Sequence, residues 1–530
     1  MRIPWWQTAV VYQIYPRSFA DSNGDGVGDL AGVTARLDHL AWLGVDALWL
    51  SPIFRSPMAD FGYDVSDYTD VDPVFGSLED LDHLVAEAHA RGIRVVLDWV
   101  PNHTSDQHPW FDASRSSRED PKRDWYVWRD GGGPDRPPNE WAAAFVEPAR
   151  WTRDPATGEL RRQPDATGGT DHTGTAWTWD EGTEQWYLHL FLPEQPDLDW
   201  SNPEVEAAMH DVLRFWLDRG IDGFRADVVH MIGKDVGEGL ETMPQSDIGK
   251  GEAVHALLRR IRTLLDGYEG DRMMVGEVFL LDPAEMATFY GTRDELHLSF
   301  NFAPLFTRWR ADRWRRRIEE SERFVPPEVG WPTWVLSNHD TVRHADRYGS
   351  EARARAAAVL LLTLRGTPFL YAGEELGLFD AEVPVDRIVD PGGRDGCRAP
   401  IPWTRSSDHG WGPEPWLPFP PAPAEHSLEA RRDDPRSILH LYRRLLAARR
   451  ASPALHRGDV VLLDTPEGVL AYDRVADDDV RRVVVNFTGE QVAVPDLLAG
   501  WWVEVDSGLD GERPAGSALG PDEALVLTRE

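Results

Sequence analysis

An arginine and an aspartate stand two residues apart at the end of a short apolar run, an arrangement that suits charge chemistry. The run covers residues 221–226 and follows a helix-like segment that stops at Gly220, which predicts a helix feeding a buried strand. Residues two apart on a strand point to the same side, so Arg225 can hold the Asp227 carboxylate ionised and fixed in direction. Asp227 is therefore a candidate nucleophile or charge stabiliser. The alternative is a structural ion pair at a strand end.

Three further apolar runs end in polar residues of the same kinds. They end in DWVPNH (98–103), GEV (276–278) and SNHD (337–340). These acids and two imidazoles converge on one cavity if the runs are strands of a barrel. The chain has paired carboxylates but no cysteine nucleophile, serine elbow or phosphate loop. Glycoside hydrolysis needs such a pair, because one carboxylic acid protonates the leaving oxygen and one carboxylate attacks or stabilises the oxocarbenium-like centre.

The elements that must position these groups alternate between strand-like and helix-like runs. This alternation predicts an α/β fold, a closed (β/α)8 TIM barrel with its active site at the carboxyl ends of the strands. The alternative, a doubly wound open sheet, lacks a Gly-rich dinucleotide fingerprint after the first strand. The strand candidates are residues 10–15, 47–50, 94–100, 221–226, 273–278, 296–300, 333–337 and 369–371, and the helix candidates include residues 30–43, 78–91, 204–219, 252–265 and 351–364.

Two stretches interrupt the alternation and a third follows it. Residues 104–176 are rich in Pro, Gly, Asp and Arg, and a structureless loop of that length is uncommon, so we expect a small inserted domain after strand 3. Residues 1–103 and 177–455 then form the barrel, with a Pro-rich insertion at about 379–435. Short strand-like runs in residues 456–530 predict a C-terminal antiparallel β-domain.

Composition narrows the class of partner. The 530 residues carry 55 basic and 90 acidic side chains, a net charge of −35, which argues against a nucleic-acid partner and fits a neutral substrate. A single cysteine, Cys397, excludes an internal disulfide framework and a cysteine-rich zinc site. No apolar run approaches a membrane span, and no signal-like segment opens the chain. We therefore expect a cytoplasmic protein that acts on a small oligosaccharide; its oligomeric state stays open.

Together, the four strand-end motifs resemble those of the α-amylase superfamily of glycoside hydrolases (family 13), and more narrowly its α-glucosidase and oligo-1,6-glucosidase branch. Three other segments are typical of the same branch: WW (5–6) with VYQIYPRSF (11–19), GYDVSDY (62–68) and FLPEQPDL (191–198). The resemblance covers essentially the whole chain. It implies a retaining, exo-acting α-glucosidase that releases glucose from the non-reducing end of short α-glucosides, with α-1,6 and α-1,4 links both in range.

The same resemblance implies a role for each matching residue. Asp227 would be the nucleophile, Glu277 the general acid and base, and Asp340 the carboxylate that binds the distorted glucose. Arg398 would face Asp60 to close the end of the pocket, so that only a terminal glucose enters. The residues implied to contact substrate are Asp60, Tyr63, His103, Phe145, Arg225, His339 and Arg398.

The run DSNGDGVGD (21–29) has the spacing of a calcium loop. Oxygen side chains alternate along it, a glycine is sixth and a backbone carbonyl seventh, as in the first part of an EF-hand loop, but the twelfth position is Gly32 where a bidentate glutamate would be expected. The resemblance implies a structural calcium site, with magnesium as the alternative. Its ligands would be Asp21, Asn23, Asp25, Val27 and Asp29. The alternative is an Asx-turn loop that binds no metal.

Two alternative functions share the triad or the fold. One is a transglycosylase or an isomerase acting on sucrose, trehalose or maltose, and the other is an inactive barrel that serves as a binding partner. Linkage preference is a separate question. In the resembling branch, a valine directly after the nucleophile accompanies α-1,6 cleavage, and the residue at that position here is Val228. The long stretch that follows Phe145 departs from the branch and leaves the aglycone subsites open.

Overall fold

Eight parallel strands form the central sheet of the protein, which is a (β/α)8 barrel as predicted. The computed structural model describes residues 3–144, 151–153, 160–162, 174–234, 237, 240, 242–412 and 414–529. Along the ladder the strands follow the order β6-β5-β4-β3-β2-β1-β8-β7. Their bounds are β1 Val11–Ile14, β2 Ala47–Leu50, β3 Arg94–Trp99, β4 Gly223–Ala226, β5 Met273–Gly276, β6 Leu298–Ser299, β7 Thr333–Val335 and β8 Thr367–Tyr371.

One threonine side chain joins the two strands at the ends of this ladder. The Thr333 hydroxyl on β7 donates to the Ser299 carbonyl on β6 at 2.9 Å, and it accepts from the Asn301 amide at 3.0 Å. Both bonds are largely shielded from water, where each contributes about 1 kcal/mol. The barrel therefore closes between β6 and β7 through a side chain and not through a strand ladder.

Helices cover the outside of the barrel at nearly the predicted positions. Local signals set their ends: Ser77 and Asp80 form a reciprocal capping box at one helix start. The predicted helix at residues 30–43 is instead two helices, because Arg36 leaves the helical backbone at φ −103° and ψ 0°. The main helices are Leu30–Ala35, Leu37–Leu43, Leu78–Ala90, Pro203–Asp218, Glu252–Asp266, Ala311–Phe324, Glu351–Thr363 and Ile438–Ala451.

The barrel interior is a packed apolar core and not a channel. Alternate residues of the strands fill it, among them Val11, Ala47, Val96, Val275 and Phe369, each at most 1% exposed. The opposite faces of the strands pack against the helices in a larger apolar cluster. Because both faces are buried, polar side chains can reach a cavity only beyond the carboxyl ends of the strands.

Two smaller units flank the barrel. Between β3 and β4 a three-stranded antiparallel sheet joins Trp128–Arg129, Gln185–Leu188 and Trp177–Asp180, and Trp151–Arg153 pairs with Leu160–Arg162. After the barrel, an antiparallel sheet orders Asp459–Leu462, Val469–Ala476, Asp479–Asn486, Ala524–Thr528, Trp502–Asp506 and Arg513–Pro514. The C-terminal β-domain is thus confirmed, and the exact domain boundaries stay a prediction. No helix in the described ranges is both long and apolar enough to cross a membrane.

Candidate active site

Strand register places the two central acids side by side. Ala226 and Gly276 pair at the ends of β4 and β5, so Asp227 and Glu277 are the next residue along each strand. Their backbones continue the ladder, since the Asp227 amide donates to Trp99 and the Glu277 amide donates to Ala226, both at 2.8 Å. A Cβ on Gly276 would come within 2.4 Å of Leu296. The close approach of the β5 end to its neighbours therefore requires glycine before Glu277.

The chain turns sharply just after Asp227. Val228 has φ 33° and ψ 40°, a left-handed conformation that is a genuine outlier for a β-branched residue. Such a conformation costs on the order of 1–3 kcal/mol. Its result is that the Val228 amide donates to the Glu277 carboxylate at 3.2 Å. Backbone strain at this turn thus fixes the acid on the neighbouring strand.

Arg225 lies at the centre of the acidic cluster. One guanidinium nitrogen donates to Asp98 and to Asp227, both at 2.7 Å, and the other donates to Glu277. The arginine side chain is 2% exposed. A single buried cation therefore holds three carboxylates that come from three adjacent strands.

Burial of Asp98 and Asp227 favours the neutral forms of these two carboxyl groups. It raises the pKa of Asp98 to about 6, against the opposing pull of Arg225. It also raises the pKa of Asp227, and the nearby Glu277 and Asp98 charges raise it further while Arg225 lowers it. Three acids around one guanidinium cannot all ionise at low cost. The cluster is therefore suited to keeping one proton among its carboxyl groups.

Asp340 follows β7 in a contrasting environment. Burial raises its pKa, but His339, Arg394 and Arg398 outweigh that effect and lower it well below the usual range. Both arginines donate to the same carboxylate oxygen of Asp340, at 3.1 and 3.2 Å. Asp340 is thus a permanently ionised group beside the Arg225 cluster.

The closed end of the site is a loop after β2. The Asp64 carboxylate accepts from the Ala59 and Asp60 amides at 2.9 Å and so shapes the loop that carries Asp60 and Tyr63. Arg394 donates to Asp60 at 2.5 Å. Arg398 was expected to face Asp60; its charge does lower the pKa of Asp60, against the larger effect of burial, but the hydrogen bond comes from Arg394. Arg398 instead contacts Asp340, the Asp390 carboxylate and the His339 carbonyl.

Both predicted histidines lie within this network. His339 stacks on Tyr63 with ring centroids 5.5 Å apart, and its Nε2 lies 2.5 Å from the Tyr63 hydroxyl. Burial lowers the pKa of His339 and lowers that of His103 to about 4. Both rings are therefore neutral at pH 7 and can act as hydrogen-bond donors to a neutral ligand.

The exposed fractions of the side chains show which end of the site is open to solvent. The Asp60 side chain is 4% exposed and the Asp340 side chain 28%. Asp60, Tyr63 and Arg394 therefore lie at an enclosed end, and solvent reaches the site from the side of Asp340. Phe145 lies outside the described residues, so its predicted contact stays a prediction.

Sequence reasoning missed three buried members of the site. Asp98 binds Arg225, Arg394 binds both Asp60 and Asp340, and Gln195 donates to Asp60 at 3.2 Å. Asp98 and Gln195 lie inside motifs that were already singled out, DWVPNH and FLPEQPDL, and Arg394 stands four residues before Arg398. The spacing of Asp98 on β3 held a usable signal, because it pairs in register with Arg225.

The calcium-loop candidates form a compact turn on the first barrel connection. Asp21 accepts from the Gly24 and Gly26 amides, and Asp25 accepts from the Val27 amide. Asp29 caps the next helix by accepting from Gly32 at 2.6 Å. Within the ranges that the structure describes, no three His, Cys, Asp or Glu side chains gather as a metal site.

Comparison with known proteins supports a single family. A family model of the α-amylase catalytic domain matches residues 13–458. A probable α-glucosidase of Rhizobium meliloti is 41% identical over 89% of this chain and 87% of its own length, and an oligo-1,6-glucosidase of Parageobacillus thermoglucosidasius is 36% identical over 91% and 90%. A solved structure described as an α-glucosyl transfer enzyme is 38% identical, covers both chains fully and superposes with a TM-score of 0.85.

The pairing of Asp60 can be tested by double-mutant cycles on unfolding stability. We expect Asp60→Asn and Arg394→Gln to couple by about 0.5–3 kcal/mol, because they remove the two halves of one buried ion pair. Asp60→Asn with Arg398→Gln is the matched cycle, and its coupling should be clearly smaller, because Arg398 acts on Asp60 through its charge and not through a hydrogen bond. Equal coupling in both cycles would contradict the pairing described above.

Proposed function

Because the chain belongs to the α-amylase family of glycoside hydrolases, we propose that it is a retaining, exo-acting α-glucosidase that removes terminal glucose from short α-glucosides. The observation that carries this proposal is the grip of Arg225 on Asp227 and Glu277, which fixes a nucleophile and a proton donor at neighbouring strand ends. A retaining mechanism requires this pair.

In the first step, the Asp227 carboxylate attacks the anomeric carbon of the terminal glucose. The bond from that carbon to the glycosidic oxygen breaks, and the oxygen leaves with the proton of Glu277. A glycosyl ester on Asp227 and a Glu277 carboxylate remain. Arg225 contacts both groups, so the negative charge moves from one of its partners to another and the guanidinium can compensate it throughout.

In the second step, water attacks the same carbon from the face that the leaving group vacated. Glu277 takes a proton from that water, and the ester bond to Asp227 breaks. The product is α-glucose, and both acids return to their starting protonation. Two inversions at one carbon give net retention.

Asp340 and the closed end supply binding. The ionised Asp340 can accept hydrogen bonds from sugar hydroxyls and offset the positive charge of an oxocarbenium-like transition state. The buried ion pair of Asp60 and Arg394 closes one end of the site. This arrangement supports exo cleavage over cleavage within a polymer.

Glucosyl transfer is the second candidate function. The favouring observation is an apolar surface beside Glu277, where Phe279 is 49% exposed and packs against Phe302 and Phe306 with ring centroids 5.6 and 6.3 Å away. Such rings suit stacking of an acceptor sugar in place of water. Products formed from maltose over a range of concentrations separate the two functions, since transfer makes trisaccharides and hydrolysis makes only glucose.

We also propose that the loop at residues 21–29 binds a structural calcium ion, with magnesium as the alternative. Its donors would be the side chains of Asp21, Asn23, Asp25 and Asp29 and the carbonyl of Val27. All are hard oxygen atoms, which is the chemistry that calcium prefers. The loop precedes the helix that Asp29 caps, so the ion would support the first strand-to-helix connection and take no part in bond cleavage.

The stereochemistry of the first product tests the mechanism. Proton NMR during early turnover of p-nitrophenyl α-glucoside should show α-glucose before β-glucose. Asp227→Asn should lower turnover by roughly several orders of magnitude with the fold intact, since it removes the covalent nucleophile. The exposed Asp211→Asn is the matched control and should leave turnover unchanged. β-Glucose as the first product would overturn the assignment.

Linkage preference tests the role of Val228. Its side chain narrows the space beside Asp227, and the longer, more flexible α-1,6 link should tolerate this better. We expect kcat/KM for isomaltose to be at least comparable to that for maltose. Val228→Ala should shift the ratio toward maltose, by a free energy of about 1–3 kcal/mol. A parent ratio far below one that Val228→Ala does not move would contradict this role.

Chelation tests the metal. Without a cation, the acids of the loop repel each other and loosen the first connection, so EDTA should lower the melting temperature with only an indirect effect on activity. Asp25→Ala should melt lower and lose its response to EDTA. An unchanged melting curve, with no metal found by elemental analysis, would rule out the site.

A further inference from the structure

Lys234 is a buried cation that contacts Asn102, the residue next to His103. Its side chain is 1% exposed and follows the short helical turn after Asp227. The ammonium group donates to Asn102 Oδ1 at 2.8 Å and to the Leu198 carbonyl at 3.3 Å, and it lies 3.2 Å from Asp197 Oδ2. Two of its protons thus have hydrogen-bond acceptors, the Asp197 carboxylate is its counter-ion, and none of these contacts is with the catalytic acids.

These contacts fix the orientation of the Asn102 amide. Its Oδ1 must face Lys234, because an ammonium group can only donate. Its Nδ2 then donates to Asp197 Oδ2 at 3.1 Å, and a carboxylate can only accept. The same Nδ2 lies 3.1 Å from His103 Nδ1. Since Nδ2 is a donor, His103 Nδ1 has to be an acceptor without a proton.

The other ring nitrogen agrees with this assignment. His103 Nε2 lies 3.1 Å from the Tyr63 backbone carbonyl, which can only accept. Gln195 Nε2 is also 3.1 Å from His103 Nε2, but the two protons of that amide have other acceptors, the Asp60 carboxylate at 3.2 Å and the Tyr63 carbonyl at 3.3 Å, so this contact does not require an unprotonated Nε2. His103 Nε2–H and the Gln195 amide therefore both donate to the Tyr63 carbonyl.

We propose that Lys234 is a positioning residue that, through Asn102, holds His103 in the tautomer with its proton on Nε2. When substrate binds, the Nε2 proton that faces the Tyr63 carbonyl is then shared with a hydroxyl oxygen of the terminal glucose. The use of this donor rests on the proposed function, whereas the tautomer itself does not. Burial keeps the ring neutral by lowering the pKa of His103 to about 4; the Asp197 charge opposes this shift and the Lys234 charge adds to it.

The choice of lysine supports a specific role. Only three of the 55 basic residues in the chain are lysines, namely Lys122, Lys234 and Lys250. Lys234 is the buried one of the three. A compact ammonium with three donors fits the three oxygens around it, whereas the planar guanidinium fork would not. Lysine, which is rare in this chain, thus occurs at a position where three oxygen atoms surround a single ammonium group.

His339 provides an internal comparison. Its Nδ1 also faces a side-chain amide, Gln13 Nε2 at 2.7 Å, but Gln13 is held by the Ser51 hydroxyl and not by a cation. A hydroxyl can donate or accept, so it does not fix the amide. A change at Lys234 should therefore alter His103 and leave His339 as it was.

A kinetic cycle tests whether Lys234 acts through His103. The variant is Lys234→Met with Asp197→Asn, which removes both charges and leaves neither buried ion unpaired. In the parent background we expect kcat/KM for p-nitrophenyl α-glucoside to fall about tenfold, mostly through KM, as the loss of one hydrogen bond predicts. In a His103→Ala background the same pair should cost less than about twofold. Equal losses in both backgrounds would show a merely structural role and overturn the proposal.

Histidine NMR on the full-length parent decides the tautomer without activity. Two-bond proton–nitrogen correlations of protein carrying ¹⁵N-histidine should show His103, assigned with His103→Gln, as protonated on Nε2 only. A proton on Nδ1, or a charged ring at pH 7, would overturn the proposal even if the Lys234 variant fails to fold. A parent without glucosidase activity would refute the proposed function and leave the NMR result to decide the tautomer.

Discussion

The guanidinium of Arg225 is the contact on which the site depends. Taking a cation and three carboxylates out of water is expensive, and the cost is offset only while all partners stay in place. The register of β3, β4 and β5 keeps Asp98, Asp227 and Glu277 within reach of one side chain. Deleting the arginine would leave three buried acids uncompensated, so the barrel geometry and the chemistry cannot be separated at this position.

The other buried cations near this centre are also held in place by their partners. Arg394 and Arg398 hold Asp340 ionised, and Lys234 holds Asn102 and Asp197. None of these cations lies free on a surface that carries a net charge of −35. They are fixed counter-charges, and their positions give the individual carboxyl groups different pKa values. Burial and neighbouring acids therefore raise the pKa of one aspartate, Asp227, against the opposing charge of Arg225, whereas two arginines keep another, Asp340, ionised.

The sequence predicted what depends on local pattern and could not predict what depends on irregular loops. All eight barrel strands overlap the predicted runs, because apolar periodicity and strand ends are local signals. The acids at the strand ends were predicted for the same reason, since each lies at or just after the end of such a run. Arg394 and Arg398 stand four residues apart in an irregular segment after β8, where spacing does not tell which one reaches Asp60. Lys234 follows a short turn that has no periodicity, so its contact with Asn102 depends entirely on tertiary structure. The segment from residue 145 to 150 lies outside the described residues, so the predicted contact of Phe145 remains a prediction.

The threonine bridge at the barrel seam has a consequence for how the chain can be divided. Every backbone ladder of the central sheet runs from β6 through β1 to β7 without crossing the seam. A break in the connection between β6 and β7 would therefore interrupt no strand pairing. Residues before and after that connection form two complementary pieces, and the β1 and β8 pairing supplies the edge along which they would recombine. Topologically, the barrel is a sheet with two ends, joined at the seam by side chains: the Thr333 hydroxyl, and the Tyr290 hydroxyl between the Ser299 amide and the Trp331 carbonyl.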